Sequence, residues 1–243
     1  MAKIKGIVFD MDGTLYNQNI LRILVAGKMI LAFIVSPKKF SIEFKIIREF
    51  RKVQEKLRLS DSNVIDENSQ IRKTAENLKM NYDEVSQAVD KWFKQIPLPL
   101  ISICRKSDLV NTFSNLFNEG FKLGLFSDYP SEDKAKILGI KDFVEAIVCS
   151  SDADVGKFKP AADGFKRIAE KLNLKCENLI YVGDRYEVDI VGALKAGMIP
   201  LLVGKFQPGK KLYSSCFRFK TIEKLIKKIN NSQNNCSKNY HLI

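Results

Sequence analysis

The residues best suited to chemistry in this chain are Asp10 and Asp12, in the stretch Asp10-Met11-Asp12-Gly13-Thr14-Leu15. Two carboxylates this close can divide labour, one attacking an electrophile while the other moves a proton. They follow the apolar run Ile7-Val8-Phe9, which reads as the end of a buried strand, and Gly13-Thr14 lets the backbone turn sharply behind them. A short D-x-D also occurs as an ordinary acidic turn. The pair therefore gains its meaning from the polar groups at the ends of the other strands.

Such groups are present, in order. Phe121–Phe126 reads as a strand that ends at Ser127, with Asp128 behind it. Gly156-Lys157-Phe158-Lys159-Pro160 sets a lysine before a proline expected to open a helix. Asn178–Val182 is a further strand, running into Gly183-Asp184-Arg185-Tyr186-Glu187-Val188-Asp189. The sole histidine, His241, is three residues from the end, so a Ser-His-Asp or Cys-His mechanism has no base and a His-rich metal site has no ligands. Catalysis in the body of the protein must rest on carboxylates, hydroxyls and amines.

The elements that position these groups alternate. Ile4–Phe9, Phe121–Phe126, Phe143–Cys149, Leu179–Val182 and Ile199–Val203 read as strands. Ser107–Glu119, Ser131–Leu138, Ala161–Leu172 and Val188–Ala196 have helical spacing. Such alternation predicts an α/β fold, a parallel sheet covered by helices on both faces. Ligands of open parallel sheets bind beyond the carboxyl ends of the strands, so Asp10, Ser127 and Asp184 are expected to converge. Between the first two strands, residues 17–100 carry helical periodicity instead. Phe40, Phe44, Ile47, Phe50, Val53 and Leu57 recur at steps of three or four, and Val64–Met80 and Tyr82–Phe93 look helical too. Pro97 and Pro99 mark the return to the sheet. Ile20–Val35 is sixteen largely apolar residues interrupted by Arg22 and Lys28. A bilayer span needs about 20 apolar residues, so the stretch predicts a buried helix of the insertion rather than a membrane span, with an interface toward a partner or lipid as the alternative.

The ordered set of motifs resembles the haloacid dehalogenase (HAD) superfamily, whose members are mostly phosphatases. The resemblance covers about residues 1–16 and 101–204. It implies a Rossmann-like doubly wound parallel sheet with an inserted all-helical cap of the first class. The domains expected are a core of 1–16 plus 101–230, a cap of 17–100 and a polar, disordered tail of 231–243. The resemblance further implies Asp10 as nucleophile, Asp12 as acid/base, and Ser127 and Lys159 as binders of the phosphoryl oxygens. Lysine directly before proline in the family pattern selects Lys159 over Lys157. Asp128 and Arg185, beside motif residues, are candidates to touch substrate. Mg2+ is the implied cofactor, with Asp10 and Asp184 as side-chain ligands, Asp12 through its backbone carbonyl, and Asp189 either near the metal or orienting Lys159. An all-oxygen site of this kind suits a hard cation. An aspartate at Asp12 favours phosphoryl chemistry over dehalogenation. The expected activity is hydrolysis of a small soluble phosphomonoester. A sugar phosphomutase and a catalytically silent binding protein are the alternatives.

Composition sets the remaining bounds. Apolar residues make up 45%, enough for a core, and the net charge of +12 favours anionic partners. Much of that excess lies after Gly204, where nine Lys/Arg face the single acid Glu223, without the interleaved aromatics of a nucleic-acid module. No specific nucleic acid is therefore expected. The five cysteines are scattered and form no C-x-x-C, which fits a reducing cytoplasm, as does the absence of a visible signal peptide.

Overall fold

The computed structural model describes residues 3–59, 67–203 and 215–216. Its centre is a parallel six-stranded sheet in the order β3-β2-β1-β4-β5-β6. The strands are β1 (Gly6–Phe9), β2 (Lys122–Ser127), β3 (Ala146–Cys149), β4 (Leu179–Gly183), β5 (Ile199–Val203) and β6 (Ser215–Cys216). The chain runs outward from β1 through β2 to β3, then restarts on the other side with β4. The order thus reverses beside β1, where an open sheet forms a crevice at its carboxyl edge. Register aims the motifs into that crevice. Phe9 lies opposite Leu125 of β2 and Val182 of β4, so Asp10, Ser127 and Asp184 all fall at or just past the strand ends. The Asp10 N–H donates to the Val182 carbonyl at 2.8 Å and carries the pairing one residue further.

Strand alternation divides the core in two. Ile7 and Phe9 face one layer with Phe113, Leu123 and Leu125, whereas Val8 faces the other with Phe126, Phe165 and Tyr181. Helices α6 (Leu109–Asn118), α7 (Glu132–Leu138), α8 (Asp163–Lys171) and α9 (Val191–Ala196) connect the strands. Helix α8 begins at Asp163 rather than at Ala161. The turn expected to start a helix at Val188 opens instead as a wide turn over Tyr186–Ile190, where Asp189 Oδ2 accepts from the Arg185 N–H at 3.0 Å. The strand β6 adds an edge that the sequence pattern does not predict.

The insertion is helical: α1 (Gln18–Val35), α2 (Pro37–Leu59), α3 (Glu67–Leu78), α4 (Tyr82–Asp90), a wide turn at Lys91–Gln95, and α5 (Pro97–Cys104). It has its own core of Ile46, Phe50, Ile71, Ala75, Val85, Ala88 and Val89. Glu43, buried beneath it, accepts from Trp92 Nε1 at 2.7 Å and from Lys91 Nζ at 2.8 Å. Val53 and Leu57 of α2 pack on Phe158, with Tyr129 alongside, and so tie the insertion to the sheet layer. Helix α5 returns the chain by burying Ile101 and Cys104 in the same layer as Phe9.

One expectation is corrected. The apolar stretch Ile20–Val35 is not a buried helix. Within α1 only Leu21 is buried, and Ile23, Ile30, Ile34 and Val35 are 71%, 62%, 69% and 75% exposed. The helix is apolar around most of its circumference but meets the protein along one narrow stripe, so hydropathy overstates its burial. It is long and apolar enough, by length and composition, to cross a membrane. The expected tail at 231–243, most of the basic C-terminal region and His241 lie outside the described residues.

Candidate active site

The turn after β1 is tight because it must be. Gly13 has φ +94°, and a Cβ there would collide with the Asp184 carboxylate. The glycine thus lets the β1 turn press against the β4 turn. Thr14 Oγ1 donates to Asp10 Oδ2 at 3.0 Å and fixes that carboxylate. Asp10 is 5% exposed.

Lys159 closes the site from below. It is 3% exposed, and its ammonium lies 2.5 Å from Asp10 Oδ1, 2.7 Å from Asp189 Oδ1 and 3.1 Å from the Tyr181 hydroxyl. Burial alone would lower its pKa, but the charges of Asp10 and Asp189 outweigh that and hold it protonated. Lys157 instead stays at the surface, 3.5 Å from Asp163. Asp128 is buried. Its Oδ1 accepts from the Lys159 N–H at 3.1 Å and from Ser150 Oγ at 2.9 Å. Through these bonds Asp128 positions the backbone that carries Lys159. Ser127, 2% exposed, accepts from the Tyr129 N–H at 3.3 Å through its hydroxyl oxygen. That bond leaves the hydroxyl hydrogen able to donate.

Carboxylate oxygens of Asp10, Asp184 and Asp189 lie within 4.8 Å of one another. Counted as ionised, these three carboxylates exceed by two charges the one ammonium buried among them, that of Lys159. Burial, followed by the charge of Asp189, pushes Asp184 up to about 6. Burial raises Asp10 well above the carboxylate range, with Asp189 and Asp184 adding to the shift and Lys159 opposing it. Asp184 Oδ1 is buried without a hydrogen-bond partner. A deficit of two charges, hard oxygen donors and an orphaned oxygen all fit a divalent cation such as Mg2+.

Asp12 does not join this cluster by its side chain. Its carboxylate accepts from Lys134 Nζ of α7 at 2.7 and 3.0 Å and from the Tyr16 hydroxyl. Burial raises the Asp12 pKa, but the Lys134 charge and the bonds from Lys134 and Tyr16 prevail and hold it below its ordinary value. Lys134, Tyr16 and Tyr181 escaped the sequence reading. Lys134 is one of several lysines between Glu132 and Lys141, and only its tertiary reach across to β1 sets it apart. Beside Asp184 a cleft of about 400 Å³ is lined by that residue with Gly13, Asn17, Arg22, Lys106 and Arg185. Its three cations suit an anionic ligand.

The family model for haloacid dehalogenase-like hydrolases matches residues 4–197. The chain belongs to that family. Among curated proteins, this HAD-like hydrolase is 25% identical over 243 residues to glyceraldehyde 3-phosphate phosphatase of Methanocaldococcus jannaschii, covering 94% of this chain and 98% of that one. Among solved structures, 2-haloacid dehalogenase of Pseudomonas syringae superposes with a TM-score of 0.68 at 19% identity, covering 93% of this chain and 99% of the other. A HAD phosphatase of Thermococcus onnurineus gives 0.61 at 19% identity, covering 92% and 98%. These structural likenesses concern the fold.

Two tests follow from the electrostatics of the hydrolase site. Asp184 binds its proton more tightly in the fold than in the unfolded chain. Its contribution to stability is therefore present at low pH and lost as pH rises through about 6. A divalent cation held by these acids would relieve that loss only where they are ionised, so Mg2+ is expected to raise Tm more at about pH 7.5 than at about pH 5. Equal shifts at both would contradict the assignment. Lys134→Ala removes the charge that depresses Asp12, and the Asp12 carboxyl, followed by carbon NMR, is expected to titrate at higher pH than in wild type. An unchanged titration would mean that the ion pair is not formed in solution.

Proposed function

We propose that this HAD-like hydrolase is a Mg2+-dependent phosphatase that cleaves a small soluble phosphomonoester through an aspartyl-phosphate on Asp10. The observation that carries the reading is the buried cluster of Asp10, Asp184 and Asp189 around Lys159, with Asp12 at the same turn but held apart from it. The full-length likeness to a glyceraldehyde 3-phosphate phosphatase supports the reaction class, and glyceraldehyde 3-phosphate is accordingly the first substrate to test.

The chemistry follows from what each group can do. Phosphate monoesters resist attack because their negative charge repels nucleophiles. Bound by Asp10, Asp184 and Asp189, Mg2+ would supply the positive charge that cancels the repulsion among carboxylates and phosphoryl oxygens. Lys159 adds a fixed positive charge beside Asp10, and Ser127 offers a hydroxyl hydrogen to a phosphoryl oxygen. The Asp10 carboxylate forms a bond to phosphorus as the bond from phosphorus to the substrate alcohol breaks, and Asp12 gives the leaving oxygen its proton. Water then attacks the phosphorus of the aspartyl-phosphate, Asp12 takes a proton from that water, and inorganic phosphate leaves with Asp10 restored. Lys134, which favours the ionised form of Asp12, assists this second half and weakens Asp12 as an acid in the first. Arg22, Lys106 and Arg185 would hold the anionic substrate in the cleft.

Phosphate release from an aryl phosphate and from glyceraldehyde 3-phosphate, with and without Mg2+, tests the reading. Wild type is expected to release phosphate only with the metal, and Asp10→Asn to lower kcat by about a thousandfold or more. Metal-dependent release that survives intact in Asp10→Asn would sink the mechanism. Interconversion of a hexose phosphate without net release would make the protein a mutase.

A further inference from the structure

The exposed face of α1 takes no part in the acidic cluster. At about 100° per residue, Ile20, Ile23, Gly27, Ile30, Leu31 and Ile34 form one continuous stripe along the helix, whereas Leu21, Val25 and Ala32 lie on the opposite side. Every large apolar residue of that stripe is more than two-fifths exposed, from Ile20 at 44% to Ile23 at 71%. Arg22 and Lys28 project on its two flanks, and Lys38 and Lys39 follow at the start of α2. No acidic residue stands between Asp12 and Glu43. Exposed Ile42 and Phe44 continue the apolar surface beyond the two lysines.

We propose that α1 is a docking surface for a bilayer bearing anionic lipid, with the helix lying in the plane of the interface. An apolar stripe between cationic flanks is what such a surface selects: the stripe enters the acyl boundary while lysine and arginine reach the headgroups. Charge complementarity favours this occupant over a second copy. A two-fold interface sets a patch against itself, which here would bring two sets of Arg22, Lys28, Lys38 and Lys39 into one interface with no acid on the stretch to neutralise them. The fold also favours lying over spanning. Tyr16 just before the helix and Leu21 in its first turn sit in the sheet layer, and after it Val53 and Leu57 pack on Phe158 of the same body. Both ends of α1 thus stay on one side. Because Arg22 lines the catalytic cleft as well, docking would set the cleft mouth beside the headgroups. None of this rests on the phosphatase reading.

Sedimentation of the full chain at low salt with vesicles of phosphatidylcholine alone, or mixed with phosphatidylglycerol, tests the proposal. Wild type is expected to bind the anionic vesicles and to bind the neutral ones at least about tenfold more weakly. Ile30→Asp/Ile34→Asp and Lys38→Glu/Lys39→Glu, all at exposed positions, should each weaken anionic-vesicle binding by at least about tenfold. Circular dichroism and turnover of a soluble aryl phosphate should stay unchanged in both. Wild type that binds neither vesicle overturns the proposal, as do variants that bind like wild type. So does a wild-type dimer that Ile30→Asp/Ile34→Asp converts to monomer without any vesicle binding, since the occupant would then be a second copy.

Discussion

A buried charge imbalance governs the carboxyl edge of this sheet. Asp10, Asp184 and Asp189 are drawn within 4.8 Å of one another, and Lys159 is the ammonium among them. Left alone, this arrangement is costly, because desolvated like charges repel and burial disfavours each ionised form. The raised pKa values of Asp10 and Asp184 express that cost. A divalent cation would relieve it, and on the proposed chemistry that relief would let the pocket tolerate an anionic ester beside an anionic nucleophile.

Holding the acids together requires the whole fold. Parallel pairing of β1 with β4 in one register brings Asp10 and Asp184 level, and Gly13 removes the Cβ that would separate their turns. Lys159 comes from a third segment and is kept in place by its own backbone, whose N–H is bound by Asp128. Tyr181, in the middle of β4, donates its hydroxyl to the Phe126 carbonyl at 3.2 Å and offers that oxygen to Lys159 from the sheet itself. Asp12 is partitioned from the cluster by Lys134 and Tyr16. Two carboxylates two residues apart thus acquire opposite shifts, one raised and one lowered.

The strands and the acids at their ends were legible in the sequence because both signals are local. An apolar run marks a buried strand, and a polar residue just beyond it falls at the carboxyl edge whatever the helices do. Lys134 and Tyr181 were not legible, because their roles depend on side chains reaching across the tertiary structure rather than on spacing. The hydrogen bond from the Lys159 N–H to Asp128 was not legible either, because adjacency to Ser127 does not fix which way a side chain turns. The helix α1 misled most. Hydropathy records what a segment is made of, and burial depends on what packs around it. An all-round apolar helix needs partners on several sides, and here the protein supplies one.

The proposed chemistry turns on Asp10 becoming the covalent carrier of the phosphoryl group. Acid quenching of the enzyme during turnover with Mg2+, followed by peptide mass spectrometry, reads that step itself. One added phosphoryl group is expected on the peptide containing Asp10, absent in Asp10→Asn and absent without metal. Rapid metal-dependent hydrolysis with a phosphoryl group trapped at another residue would contradict the assignment of Asp10 as nucleophile.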